Sequence, residues 1–160
     1  MYNNQRTPTG KGYPQGGGSR QGGMDRQGFA VKEKPKLTQQ NYVDEAERVI
    51  KTLERDRSEK MKLTTSKIRN LLAMASTLKT DAQHSREDKL SCDLQSRVQY
   101  LKMRIAYEAG REPIVLDFER KAHLLDHVSE IGDNRKKLLV FCEYMEALTA
   151  YHRYYGGKDN

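Results

Sequence analysis

The stretch that decides the fold is Arg86-Glu87-Asp88-Lys89-Leu90-Ser91-Cys92-Asp93-Leu94-Gln95-Ser96-Arg97-Val98-Gln99-Tyr100-Leu101-Lys102-Met103-Arg104-Ile105-Ala106-Tyr107-Glu108-Ala109-Gly110. Its large aliphatic residues Leu90, Leu94, Val98, Leu101 and Ile105 recur at steps of four, four, three and four, the period of one helix face. The spacing predicts a helix from about Arg86 to Ala109, with Gly110 placed to end it in a left-handed conformation. A helix of that length is expected to be the spine of a bundle. A second stripe runs beside the first. Arg97, Tyr100, Arg104, Tyr107 and Arg111 follow steps of three, four, three and four, so a helix that persists to Arg111 lines them on one face. Guanidinium groups fork onto phosphate oxygens and aromatic faces stack on bases, so this alternation suits a sugar-phosphate backbone. It equally suits half-buried tyrosines with a solvated arginine rim.

Outward from this helix the same period continues. Upstream, Ile68, Leu71, Leu72, Ala75 and Leu78 mark a helix starting at Thr64 or Thr65, with Thr80–Ser85 as a loop. Before it, Tyr42, Ala46, Val49, Ile50 and Leu53 mark a helix that Thr38 can cap. Lys67 and Arg69 lie near the start of the second helix, where free amides and added cations favour a phosphate. As isolated charges they also read as plain surface. Downstream, Glu112-Pro113 opens a fourth helix carrying Leu116, Phe118, Ala122, Leu125 and Val128, which Gly132 breaks. Asp133 can cap a fifth, presenting Leu138, Phe141, Cys142, Met145 and Leu148 and ending at Gly156-Gly157. Nothing alternates with the period of a strand. The expected fold is all-α, a bundle of about five helices joined by short loops.

The first 36 residues differ in kind. They hold 8 of the 12 glycines, 3 of the 4 prolines, and seven basic residues against two acidic ones, a net of +5. Residues 37–160 carry the remaining 22 basic and 20 acidic groups, so most of the chain's +7 belongs to the N-terminal segment. With so few large apolar side chains, that segment cannot offset a backbone entropy of roughly 1–2 kcal/mol per residue, and it is expected to be a disordered basic tail. Gly16-Gly17-Gly18-Ser19-Arg20-Gln21-Gly22-Gly23 resembles the Arg/Gly-rich arms that bind nucleic acid without sequence preference. It serves equally as a flexible solubilising extension. The helical domain is placed at 37–160.

Most chemical motifs fail. His123 and His127 have the spacing of a zincin pair, but Leu124 follows the first histidine where that motif needs Glu. Gly10-Lys11-Gly12 lacks the flanking strand and helix of a phosphate loop, and Gly156-Gly157-Lys158 continues with Asp159 instead of Ser or Thr. Cys92 and Cys142 form no metal or disulfide framework and read as two ordinary buried thiols. No catalytic constellation, metal site or cofactor site is expected. There is no apolar run of about 18 residues and no secretory start, so neither a membrane span nor export is expected and the compartment is taken as cytoplasmic. The tyrosines of Tyr151-His152-Arg153-Tyr154-Tyr155 are expected to close one end of the bundle, with a subunit contact as the alternative.

Four blocks carry a resemblance. Asn41-Tyr42-Val43-Asp44, Leu63-Thr64-Thr65-Ser66-Lys67-Ile68-Arg69-Asn70-Leu71-Leu72, Tyr107-Glu108-Ala109-Gly110-Arg111-Glu112 and Tyr154-Tyr155-Gly156-Gly157-Lys158-Asp159 resemble, in order and rough spacing, the small subunit of the type III-A CRISPR-Cas effector, the Csm complex. The resemblance covers about residues 38–159, and the tail has no counterpart in it. It implies a non-catalytic, all-helical subunit, present in several copies, that lines the complex beside the backbone subunits. There it contacts the target RNA paired to the guide without reading its sequence, in antiviral defence. Lys67, Arg69 and Arg111 fall at matched basic positions; Arg97 and Arg104 rest on the stripe alone. The implied partners are the other Csm subunits, further copies of the chain and the guide–target duplex, with no membrane and no small-molecule substrate. Two other classes stay open: a free-standing helical nucleic-acid-binding protein, which would need a helix-turn-helix signature that these loops lack, and a structural adaptor whose basic stripe meets acidic protein.

Overall fold

The computed structural model describes residues 34–58 and 60–158. The expectation of a disordered tail falls, over residues 1–33, outside the described residues. Lys34 and Lys36, which composition assigns to that tail, already touch the helical domain. Lys34 ion-pairs with Glu130, and the Lys36 carbonyl accepts the Asn41 side-chain amide at 2.9 Å.

Among the described residues there are six helices: α1 (Tyr42–Thr52), α2 (Thr65–His84), α3 (Cys92–Arg111), α4 (Pro113–Ala122), α5 (Leu124–Ser129) and α6 (Arg135–Tyr154). Among the described residues the only β pairing is two isolated bridges, Arg55 with Met61 and Lys89 with Asn134. The packing follows a ring, α1 against α6, α6 against α2, α2 against α3, α3 against α4 and α4 back against α1, with α5 inserted between α3 and α6. Phe118, Phe141, Leu101, Ile105 and Tyr144 are buried inside it. The Tyr144 hydroxyl donates to the Ala122 carbonyl at 3.2 Å, which satisfies its polar end.

Several boundaries move, each for a local reason. α1 begins at Tyr42, not Thr38, because Asn41 closes the preceding turn by accepting the Thr38 amide at 2.7 Å. α2 runs through the expected loop Thr80–Ser85 as far as His84. Its threonines turn inward on their own helix, Thr77 donating to the Ala73 carbonyl and Thr80 to that of Ser76. α3 starts at Cys92, where Ser91 caps it by accepting the Leu94 amide at 3.2 Å. The residues before it are held extended instead, with Leu90 donating to the Asp133 carbonyl and Arg135 to that of Asp88. Cys92 is therefore exposed, while Cys142 is buried as expected, and burial pushes the Cys142 thiol up to about 12.

Gly110 does not end α3. The helix continues to Arg111 and stops because Pro113 forces the preceding Glu112 into an extended conformation, φ −129° and ψ 110°. The expected fourth helix is two, α4 and α5, broken at His123, which adopts φ 49° and ψ 39°. That left-handed residue shifts the register. Val115, Phe118, Glu119 and Ala122 are buried before it, and Leu124, His127 and Val128 after it. Leu116 and Leu125 are only half-buried. Gly132 breaks the chain as expected, at φ 56°, but Asn134 and not Asp133 caps α6, accepting the Lys137 amide at 3.0 Å.

One end of the ring is closed by the C-terminal turn. His152 is fully buried, its Nε2 2.8 Å from the Leu63 carbonyl. Gly157 donates to the His152 carbonyl at 2.8 Å, and the Thr65 amide donates to the Lys158 carbonyl at 2.9 Å. Tyr151 and Tyr155 stack, ring centres 6.2 Å apart, and the Tyr155 hydroxyl donates to Glu47. Tyr154 alone of the three tyrosines is left largely exposed. A Cβ at Gly157 would lie 2.2 Å from His152 Cε1 and 2.5 Å from the His152 carbonyl oxygen, a clash that the fixed backbone cannot relieve by a rotamer change. Gly157→Ala is expected to cost roughly 1–3 kcal/mol, seen as a melting point lowered by several degrees, whereas Gly110→Ala, with open space at its Cβ, should be neutral or slightly stabilising.

Candidate nucleic-acid interface

α2 and α3 run antiparallel because each is a 20-residue helix with one apolar face, joined by a short connection. Ion pairs pin them at both ends. Lys67 Nζ lies 2.6 Å from Glu112 Oε2, and Arg97 Nη1 lies 2.7 Å from Asp81 Oδ2. Between these pins each helix spans about 21 Å. The stripe Arg97, Tyr100, Arg104, Tyr107 and Arg111 therefore rims the seam between α2 and α3. The two tyrosines are 54% and 51% exposed, with Met103 beside them at 50%. They are not half-buried core members.

The arginines differ in what holds them. Arg97 sits between Asp81 and, at 3.7 Å, Asp93. Arg104 Nη2 is 2.6 Å from Glu108 Oε1, and that carboxylate is buried, with only 8% of its side chain exposed. Both guanidinium groups are charge-compensated. Arg104 and Arg111 also flank the Tyr107 ring, their Cζ atoms 5.1 and 5.9 Å from its centre. Arg111 itself is exposed. Glu112 follows it in sequence, and the Lys67 hydrogen bond, with Arg111 contributing through space, holds the Glu112 carboxyl below the usual range.

The structure thus brings Lys67 and Arg111 to the same end of the seam, beside Tyr107. It does not bring Arg69 there. Two residues turn an α-helix by about 200°, so with Lys67 reaching toward α3, Arg69 projects from another side of α2, where it is exposed. The start of α2 is also less open to an anion than its sequence suggests. The Thr65 amide is taken by the Lys158 carbonyl and the Lys67 amide by that of Thr64. Sequence reasoning missed the acidic partners. Arg104 and Glu108 have the spacing of a helical ion pair and were legible, whereas Asp81 and Glu112 reach their partners only through the packing of helices. His123 and His127 end up in different settings, the first half-exposed and 3.4 Å from Asp126, the second buried. Among the described residues no group of three or more His, Cys, Asp or Glu side chains is placed to hold a metal ion, and no helix is long and apolar enough to cross a membrane.

The model of a protein family described as Csm2 Type III-A matches residues 36–158. The chain belongs to the Csm2 family of type III-A CRISPR systems. It is 47% identical over 123 residues to a protein of Streptococcus thermophilus named "CRISPR system Cms protein Csm2", covering 77% of this chain and 98% of the relative. A protein of the same name from Mycobacterium tuberculosis (strain CDC 1551 / Oshkosh) is 44% identical over 121 residues, 76% of this chain and 96% of that one. One from Enterococcus italicus is 42% identical over 97 residues, 58% and 68% of the two chains. The span matched to the Csm2 family takes in Lys67, Arg69, Arg97, Arg104 and Arg111, and leaves residues 1–35 outside it.

The buried Glu108 makes Arg104 a structural residue as well as a candidate for RNA binding. Arg104→Ala is expected to destabilise the domain by roughly 1–3 kcal/mol, because it strands a buried carboxylate. Denaturant unfolding should show the loss substantially recovered in the Arg104→Ala, Glu108→Gln double variant, while Arg111→Ala leaves the unfolding midpoint essentially where it is in the parent chain.

Proposed function

We propose that this Csm2-family chain is the non-catalytic small subunit of a type III-A effector complex, seated beside the guide–target duplex. There it contacts the target RNA backbone without reading its sequence. Sequence recognition then belongs to base pairing with the guide. The partners in this reading are the other Csm subunits, backbone subunits among them, and further copies of the chain. The observation that carries it is the meeting of Lys67 and Arg111. They come from blocks more than forty residues apart, and the fold sets them on one bundle end beside the exposed ring of Tyr107. A cation pair next to an exposed aromatic face suits phosphate with an adjoining base or sugar. Arg97 and Arg104 extend the same line along α3, and they, like Lys67 with Glu112, have to exchange or share a carboxylate to take a phosphate. Arg69 is the candidate for a separate contact on the outer side of α2.

A second reading is favoured by the compensated part of the stripe. Arginine, tyrosine and methionine are enriched at protein interfaces, and around Tyr100 and Met103 the arginines are already neutralised by Asp81, Asp93 and Glu108. That portion of α3 suits a neighbouring subunit better than an open phosphate track.

The two readings separate by measurement. In the assembled complex, Lys67→Ala with Arg111→Ala should weaken binding to unrelated target RNAs equally and lower the salt slope by about 0.7–0.9 for each phosphate no longer neutralised. An unchanged slope would remove both residues from the RNA site. Tyr100→Ala with Met103→Ala should leave the slope alone and reduce co-purification with neighbouring subunits if α3 is a protein contact.

A further inference from the structure

At the opposite end of the bundle, α5, the start of α6 and the chain entering α1 enclose a cleft of about 550 Å³. It is separated from the Lys67 end by the length of α6, about 24 Å from Lys136 to His152. Its lining includes Lys34, Lys36, Lys136 and Lys137 with the Glu130 carboxylate, and Asp126 lies near His127. Lys34 is bound to the Glu130 carboxylate, and Lys137 Nζ donates to the Glu130 backbone carbonyl at 3.1 Å. The Lys136 ammonium is 4.0 Å from Asp88, with 79% of its side chain exposed. The floor is apolar, formed by Leu37, Val140 and Phe141.

Into this cleft faces His127, 5% exposed. Its ring packs edge-on against Tyr144 and His123, centres 5.7 and 6.3 Å apart. Its Nδ1 is buried and has no hydrogen-bond partner among the described residues. A buried polar atom without a partner is destabilising. Burial, with the Lys34 ammonium nearby, lowers the His127 pKa to about 4, so at neutral pH the ring is uncharged and one of its nitrogens carries a proton to donate.

We infer that the cleft is a phosphate-ester site, in which the lysines hold the phosphate oxygens and His127 Nδ1–H donates directly to one of them. The volume lies in the range of small-ligand clefts, roughly 300–1,000 Å³, and the apolar floor accepts a sugar or base next to the phosphate. Entry of the anion draws Lys34 off Glu130 or is shared with it. A free nucleotide and the backbone of a nucleic acid present the same chemistry here. The inference does not depend on the Lys67 and Arg111 reading, since the two sites lie at opposite ends of the molecule.

The test uses the full chain and follows the His127 ring nitrogens by NMR. Sodium phosphate, adenosine monophosphate and a short oligouridylate are titrated in turn at constant ionic strength, with sodium chloride as the control. A saturable shift of His127 Nδ1 that chloride does not reproduce is expected. The Lys136→Ala, Lys137→Ala double variant, altered only at exposed positions, should weaken it by roughly tenfold or more, while Lys67→Ala with Arg111→Ala leaves it unchanged. Tighter binding of the mononucleotide assigns the site to a free ligand, and tighter binding of the oligomer assigns it to a nucleic-acid backbone. No saturable shift with any of the three, or a shift indifferent to the loss of both lysines, overturns the assignment. A His127→Phe variant that keeps its circular dichroism should also lose any phosphate-dependent rise in melting temperature, whereas a rise that survives it excludes His127 from the site.

Discussion

A buried histidine bonded to a backbone carbonyl, with a glycine laid against its ring, holds the Lys67 end of this domain together. His152 hydrogen-bonds the carbonyl of Leu63 just before α2 begins, and Gly157 packs so close to the same imidazole that no side chain fits there. The chain past Gly157 then gives the Lys158 carbonyl to the Thr65 amide. Without this clasp, the start of α2 has neither a side-chain cap nor a fixed position against α6. Lys67 would lose the placement that brings it to Glu112 and, through it, beside Arg111. The second, third and fourth blocks of the family resemblance thus meet at one end of the bundle, one as the strap, one as the helix start it holds, and one as the partner across the seam.

The seam itself is electrically balanced where it is packed and positive only at its tip. Each internal guanidinium of α3 has a carboxylate within hydrogen-bond reach, a pairing that a partly buried charge requires if desolvation is not to outweigh its attraction to anything else. At the tip, Lys67 holds the half-buried Glu112 carboxylate at 2.6 Å, and the neighbouring Arg111 is exposed. Arg111 is the exposed cation of this end, and a phosphate reaching it need not first displace Glu112 from Lys67. Availability to a ligand therefore tracks how weakly a cation is already held, and not how many cations a stripe contains.

The helices were legible because each depends on the local period of apolar residues, and α2, α3 and α6 keep that period over 20 residues apiece. What the period could not reveal was set by single side chains or by distant chain. The break at His123 needs a left-handed histidine, a conformation that carries no sequence signal because glycine is its usual host. The non-helical run before Cys92 is held by Asp133 and Arg135, some 45 residues on. The stripe on α3 was readable as geometry, but its counter-charges on α2 were not, since Asp81 and Arg97 are matched only by the antiparallel register of two helices. Arg69 illustrates the converse. It sits in the same block as Lys67, yet helical rotation alone sends it to another side of α2.

Charge along the chain and charge in space also part company. By sequence, residues 37–160 are nearly neutral, a net of +2. In the fold the acidic groups are taken up by the middle of the α2–α3 seam and by helix surfaces, which leaves two local excesses of lysine and arginine at opposite ends of α6. A near-neutral domain of this kind is not drawn broadly to polyanions by long-range attraction, which a Debye length of about 8 Å confines to the immediate surface. A polyanion held by this domain would be held by contacts made at short range. Under the proposed function, this charge distribution over residues 37–160 suits a subunit brought to nucleic acid by its neighbours, and the charge able to act at longer range lies in residues 1–36.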